Sequence, residues 1–208
     1  MPSSSVSSDW RAGLGKGPQE DILKSLVAEA CRGDERAYGK IFRLCYGDIY
    51  DYIIRRVGNR TDAEDLTMQV FAQGLKAMGS YEERGHSVKA WLYRIAHNAV
   101  VDHFRSQRVS LDLDEIPEIA DGRDIESEVY LKEDLRDLHR EVTRLPVAQS
   151  EVLMLRFIED RSVAETAMIL GKKEVTVRAL QFKGIRNLRL KMLAPAEKEA
   201  AGNEEIGG

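Results

Sequence analysis

The chain has 208 residues, 43% of them hydrophobic and 32% charged, with a net charge of −4. This composition suits one large or two small helical, water-exposed domains. It excludes a membrane-spanning chain, because no apolar run approaches the roughly 18 residues a bilayer requires, and a disulfide scaffold, because Cys31 and Cys45 are the only cysteines and have no CxxC spacing.

The first segment, MPSSSVSSDWRAGLGKGPQ, is rich in Ser, Gly and Pro and has no apolar stretch of a secretory signal. Residues 1–20 therefore read as disordered, and the expected compartment is the cytoplasm. A short helix is predicted over Asp21 to Cys31. A second starts at the N-cap Asp34 and runs to Val57, with Ala37, Ile41, Leu44, Cys45, Ile49, Ile53 and Val57 recurring at three or four. The sequence GNR ends it. TDAE, Thr61 to Glu64, has the capping-box pattern and opens a third helix reaching Met78, with Leu66, Val70, Phe71, Leu75 and Met78 inward. GSYEERGH is a loop, and Ser87 caps a fourth helix, WLYRIAHNAVVDHFRSQR.

From Val109 the character changes. Acids far outnumber bases, periodicity weakens, and Pro117 and Gly122 interrupt the run. Residues 109–128 read as a flexible acidic linker between a four-helix domain, 21–108, and a smaller domain, 129–194. A helix resumes near Glu126 and reaches Arg144. Pro146 stands at the first position of the next helix. SVAE, Ser162 to Glu165, is a second capping box, opening a short helix to Leu170. Gly171 makes a turn, a last helix covers Lys173 to Met192, and 195–208 is a polar tail predicted to be disordered. The fold class is all-α, with two helical domains and no convincing period-2 strand.

Two helices carry the functional signal. Short helix, Gly turn and longer helix make a helix-turn-helix, with Ala167 small enough for close approach. At 100° per residue, Val177, Leu180, Gln181, Gly184 and Leu188 share the packing face of the last helix, with Ile185 at its margin. Arg178, Ala179, Phe182, Lys183, Arg186 and Arg189 lie opposite. From Lys172 to Lys191 there are seven bases and one acid, Glu174. This is the pattern of a recognition helix in a major groove. On the fourth helix, Leu92, Ile95, Ala96, Ala99 and His103 share an apolar face, flanked by Trp91 and Val100. Arg94, His97, Asn98, Val101, Arg105 and Arg108 share the other, offering cations to phosphates and an amide to base edges. The loop before it adds Tyr81, Arg84 and Gly85, and an aromatic beside a basic helix suits stacking on unpaired bases.

Nothing argues for catalysis or a cofactor. His97 and His103 are six apart, a poor ligand spacing on a helix, and HExxH is absent. DLDE, Asp112 to Glu115, lacks the rest of a calcium loop. There is no Walker A loop, GxSxG or kinase signature. His103 reads as a core histidine. Cys45 reads as inert packing; Cys31, at a helix end, is the more exposed thiol.

DAEDLTMQVFAQGLKAM, WLYRIAHNAVVDHFR and LPVAQSEVLMLRFIEDRSVAETAMILGKKEVTVRALQFKGIRNL together resemble regions 2.2, 2.4 and 4 of the extracytoplasmic-function, group 4, sigma factors of the sigma-70 family. The resemblance covers Asp21 to Leu193 and implies a promoter-specificity subunit of bacterial RNA polymerase, not an enzyme. It implies that Asp62, Glu64, Asp65 and Gln69 meet the β′ clamp helices, while the C-terminal domain meets the β flap. Tyr81, Arg84, Lys89, Arg94, His97, Asn98, Arg105 and Arg108 would then serve the −10 element, with Asn98 lining a pocket for a flipped base. Lys173, Thr176, Arg178, Phe182, Lys183 and Arg186 would read the −35 element. An anti-sigma factor is the further partner implied. Here the chain has Gln181, Lys183 and Gly184 where the family often has Leu, Arg and Ala, and Val88 at a position often aromatic. The rival reading from the residues is a helix-turn-helix regulator with a helical sensor domain, which would bind duplex DNA without polymerase.

Overall fold

The computed structural model describes residues 16–83, 85–110 and 140–202, with side chains over 20–83, 85–107 and 140–192. The segments 1–15, 111–139 and 203–208, with most of the helix expected from Glu126, lie outside the described residues, as does Arg84; so does the linker expected at 109–128 except its first two residues, which α4 takes up. The described residues are helical, with no strand among them. The first domain comprises α1 (Lys16–Cys31), α2 (Glu35–Val57), α3 (Arg60–Ala77), a 3-10 turn (Met78–Ser80) and α4 (Val88–Ser110). The second comprises α5 (Val147–Leu153), continued by a π-helical turn (Met154–Ile158), then α6 (Val163–Ile169) and α7 (Glu174–Gly202).

Most helix boundaries follow the local chemistry. The Asp34 carboxylate accepts from the N–H groups of Arg36 and Ala37, and Gly58 ends α2 in the left-handed region at φ 66°. Ser87 Oγ accepts from the Ala90 N–H at 3.2 Å and opens α4. Ser162 and Glu165 form the expected capping box, each side chain bonding the other's backbone N–H at 3.1 and 2.9 Å.

Four expectations change. α1 begins at Lys16, five residues earlier than periodicity indicates. Asn59, not Thr61, is the N-cap of α3. Its amide oxygen accepts from the Asp62 N–H at 3.1 Å, so the helix opens upstream, and Glu64 bonds Arg60 Nε at 2.9 Å instead of closing a capping box. Pro146 caps α5 with ψ 134° and precedes the first helical residue, Val147. α7 continues to Gly202, into the expected polar tail; APAEKEAAG is rich in Ala, Glu and Lys, strong helix formers, despite Pro195.

The first domain packs α2, α3 and α4 around Ile41, Cys45, Ile49, Tyr52, Ile53, Val70, Leu92, Tyr93 and Ala96, all buried. Tyr52 and Tyr93 meet edge to face at 5.1 Å, worth about 1 kcal/mol beyond their area. The Tyr38 hydroxyl donates to the Phe71 carbonyl at 2.6 Å, beside Gly74. A Cβ at Gly74 would lie 2.6 Å from that hydroxyl, so only glycine permits the contact. Leu75, expected inward, is 47% exposed. Cys45 is buried, and burial pushes its thiol up to about 12, which makes it inert packing.

In the second domain α6 and α7 pack through Ala167, Ile169, Leu170 and Val177. Leu153, Met154, Val142 and Leu145 form a smaller cluster closed by Leu188. The larger cluster is continuous across the two domains: Val152, Leu155, Ile169 and Val177 belong to the same core as α2 and α4.

Candidate nucleic-acid interface

Three surfaces carry the residues singled out by sequence. On α4, Arg94, Asn98, Val101 and Arg105 are exposed, while Leu92, Tyr93, Ala96, Ala99 and Val100 are buried beneath them. These four recur at 4, 3 and 4, which makes a straight line about 16 Å long at 1.5 Å per residue. It offers two guanidinium groups with an amide and an apolar side chain between them. Such a row can hold a phosphate backbone and touch the base edges between the phosphates. Arg108 continues the helix, although only its backbone is described.

Two residues expected on this surface are taken up elsewhere. Lys89 is ion-paired with Asp48 of α2, and both side chains are largely covered. It ties α4 to α2 and is not a free cation for DNA. His97 is 15% exposed and faces the second domain, with Nδ1 at 3.4 Å from the Tyr52 hydroxyl and 3.7 Å from Glu151 Oε1. Burial first, then the nearby Arg56 and Lys172 charges, lower its pKa to about 4. His97 is therefore neutral near pH 7, and its approach to Glu151 is not an ion pair. Periodicity places His97 correctly around the helix, but it carries no information about a second domain covering that face, nor about Asp48 of α2 reaching Lys89.

Tyr81 lies in the loop before α4, half-buried, with its ring 5.0 Å from Trp91 and its hydroxyl donating to the His86 carbonyl at 3.1 Å. Burial, then the Glu83 and Cys31 charges, push its phenol up to about 12. The aromatic pair and the hydrogen bond brace the loop. Cys31 is half-buried under the same loop, with Sγ 3.9 Å from both Met78 Sδ and the Tyr81 carbonyl. His103 is partly covered, between Gln107 Nε2 at 2.9 Å and Asp62 at 3.7 Å, at the edge of the core.

On α7 every side chain expected to face DNA is exposed or nearly so: Lys173, Thr176, Arg178, Phe182, Lys183 and Arg186. Val177 is buried, and Leu180, Gln181 and Leu188 are half-buried on the packing side. Gly184 lets α7 close on α5, since a Cβ there would lie 3.1 Å from Leu153 Cδ1. Arg178 is paired with Glu174 at 2.9 Å, an exposed contact within the helix worth little. Val175, 68% exposed, lies two turns before Phe182; a single valine in a basic helix gives no pattern by which sequence could single it out.

The third surface is the outer face of α3. Asp65 and Gln69 are exposed, Glu64 is exposed beside Arg60, and Asp62 is partly covered by His103. Met68 and Leu75, 55% and 47% exposed, stand among them. Two exposed apolar side chains thus stand among acids on this face. Met68 follows Asp65 by three and precedes Leu75 by seven, so the stripe is present in the sequence, but periodicity alone counts Leu75 with the core.

No described helix is long and apolar enough to cross a membrane. Among the described residues no three His, Cys, Asp or Glu side chains gather in a metal-binding group.

A model of sigma-70 region 2 matches residues 41–109, and one of sigma-70 region 4 matches residues 143–190. Between them they take in more than half of the chain. The ECF RNA polymerase sigma factor BldN of Streptomyces coelicolor is 36% identical over 170 residues, covering 80% of this chain; the chain spans only 64% of that relative's length. SigX and SigW of Bacillus subtilis, also ECF RNA polymerase sigma factors, are 27% and 26% identical over 76% and 82% of this chain and 84% and 96% of their own. The solved structure of CnrH in complex with the cytosolic domain of CnrY shares the fold, with a TM-score of 0.61 and 21% identity over 83% of this chain and 98% of that one.

Proposed function

The chain belongs to the sigma-70 family, and from that premise we propose that it is an extracytoplasmic-function, group 4, sigma factor: a cytoplasmic initiation factor with no chemistry of its own. It binds core RNA polymerase, directs it to −35 and −10 elements, and opens the −10 duplex. The observation that carries this reading is the pair of exposed basic helical faces, on α4 and α7, each opposite a face buried in the core.

The roles divide by surface. Asp65, Gln69 and Glu64, with the exposed Met68 and Leu75, form the face that meets the β′ clamp helices; Asp62 contributes at its edge. The second domain approaches the β flap. Arg94, Arg105 and Arg108 hold the −10 strand, and Asn98 reads a base taken out of the stack, an event that costs a few kcal/mol and must be returned by the pocket. Tyr81 braces the loop that shapes that pocket, with Arg84 in the same loop. On α7, Lys173, Thr176, Arg178, Phe182, Lys183 and Arg186 address the −35 major groove. An anti-sigma factor completes the set of partners; CnrH, which shares the fold, was solved bound to the cytosolic domain of CnrY.

The test is transcription in vitro with core polymerase and pooled promoter fragments, with and without the chain. New start sites at shared sequence elements, lost with Asp65→Ala, support the reading. Sequence-specific duplex binding by the chain alone, with no transcripts, replaces it with a conventional regulator.

A further inference from the structure

Two of the polar contacts between the domains meet on one carboxylate that no sequence pattern singles out. Glu159 follows the π-helical turn Met154–Ile158, and its side chain is 4% exposed. Oε1 accepts from Arg55 Nη2 of α2 at 2.8 Å, and Oε2 from the Tyr93 hydroxyl of α4 at 2.8 Å. Both partners belong to the other domain. The wider π turn changes the direction in which the chain leaves α5, a device concentrated at functional positions. Asp160 then turns the chain with φ 51°, in the left-handed region that Asp and Asn tolerate better than most side chains. Arg161 comes back with its guanidinium 5.3 Å from the Tyr93 ring centre, and Ser87 donates to Glu165 at 3.0 Å alongside.

An ion pair between domains with one partner buried and the other largely covered is a poor source of net stability, because both charges give up water to form it. It is a good source of specificity, since only one docking geometry satisfies both charges. It is also readily undone: once apart, Glu159 and Arg55 recover hydration. That combination describes a contact built to select one arrangement and then release it.

The docked arrangement does not fit a promoter. A compact chain of this size is about 40 Å across. Elements named for positions −35 and −10 lie about 80 Å apart along duplex DNA at 3.4 Å per step. Residues 111–139 join the two domains; with the helix expected from Glu126 at about 1.5 Å per residue and the rest at up to about 3.4 Å, the connection spans up to roughly 70 Å, enough with the width of the domains for α4 and α7 to reach the two elements once undocked.

We propose that Glu159 is an interdomain latch: seated between Arg55 and Tyr93, it holds the free chain in a closed, autoinhibited form that must open before both promoter elements are engaged. The inhibition rests on the promoter-binding reading above; the latch itself does not. It would act within the chain, before any inhibitor binds.

The test uses the full chain with spin labels at Lys40→Cys and Arg189→Cys, in a Cys31→Ser background; the buried Cys45 stays unlabelled. The unaltered latch gives one narrow distance distribution between labels. Glu159→Gln and, separately, Tyr93→Phe broaden and lengthen it, with helical content retained. Transcription with limiting chain then reaches half-maximum at a concentration about three- to tenfold lower for Glu159→Gln, because the competent fraction has risen. Unchanged distances in both variants overturn the latch. Longer distances with unchanged half-maximum overturn the inhibition. If no version of the chain supports transcription, the sigma-factor reading and the inhibition that rests on it fail together, while the distances alone still decide whether Glu159 latches the domains.

Discussion

α4 and α7 look alike in sequence and differ in the folded chain. Each is amphipathic, with Arg and Lys opposite an apolar face. In α7 all six side chains assigned to DNA face solvent. In α4, Lys89 is bound to Asp48, and His97 is closed over by the second domain. The reason is the number of neighbours. α7 packs on one side only, as a recognition helix must, so its polar face stays free. α4 packs on the first-domain core along one face and against the second domain along part of the other. A row of cations in a sequence is therefore an upper bound on what DNA can reach; tertiary contacts decide how much of it remains.

The largest expected effect tests the part of α4 that does remain. Asn98 is exposed in the middle of the Arg94–Arg105 line, and the amide of such a residue distinguishes bases by about 1–3 kcal/mol. Asn98→Ala should lower transcription from a cognate promoter by about tenfold or more, with the melting temperature unchanged. An equal loss from promoters altered at every −10 base would assign Asn98 to the backbone rather than to a base.

His97 provides the next test, because docking and protonation are linked. Its pKa is about 4 when docked, against the ordinary 6.5 that undocking moves it toward. A docked group with a depressed pKa releases its proton on closing, so the closed form has the full benefit above pH 6.5. It loses that benefit as pH falls from 6.5 toward 4, because the open form binds the proton first. Glu151 works in the opposite direction: burial raises its pKa against the pull of Arg56 and Lys172, so the closed form gains as that carboxyl protonates at lower pH. The two contributions oppose each other as the pH falls below 6.5. Opening at pH 5.5 should be favoured by up to roughly tenfold over pH 7.5. Interdomain distances at the two pH values would show it, and His97→Asn should remove this opening and leave only the opposite dependence of Glu151.

A smaller contrast separates free cations from occupied ones. Arg186→Ala should weaken −35 duplex binding a few-fold and reduce the salt slope by about one. Lys89→Ala should leave DNA binding within twofold of normal, roughly, and lower stability instead, because Asp48 loses this ion pair in a half-covered setting. If Lys89→Ala reduces the salt slope as Arg186→Ala does, the Asp48 pair opens on DNA and α4 is as free as α7.

Much of this organisation is legible in the sequence. Asp34, Ser87 and Ser162 announce their helices because capping chemistry is local, and the two faces of α7 follow from a period of 3.6. Asn59 and Thr61 are both good caps, and only the backbone shows which one captures the Asp62 N–H. Leu75 falls on the inward side by angle, but periodicity cannot tell which apolar residue at the margin finds a partner. Glu159 is beyond reach for a different reason. Its partners Arg55 and Tyr93 lie 104 and 66 residues back in the chain, and nothing near Glu159 marks a charge that will be buried.

The smallest effect concerns the close approach that keeps the face of α7 turned outward. Gly184 sits in the packing side of a helix, where alanine would ordinarily be favoured by about 1 kcal/mol. A Cβ at that point meets Leu153 Cδ1 at 3.1 Å, Leu153 Cγ at 3.2 Å and Gln149 Cβ at 3.4 Å. Leu153 is buried beside Val142, Leu145 and Met154 and has little room to withdraw. The two effects nearly cancel, and Gly184→Ala should destabilise the chain by less than about 1 kcal/mol. The sign is more telling than the size. Leu153→Ala alone should cost about 2–5 kcal/mol, but it removes the atoms the new methyl would strike. In that background Gly184→Ala should turn stabilising, through its propensity and by filling part of the space left behind. A thermal-unfolding double-mutant cycle reads this directly. If Gly184→Ala destabilises equally in both backgrounds, the glycine is not there for Leu153, and the spacing between α5 and α7 is set elsewhere.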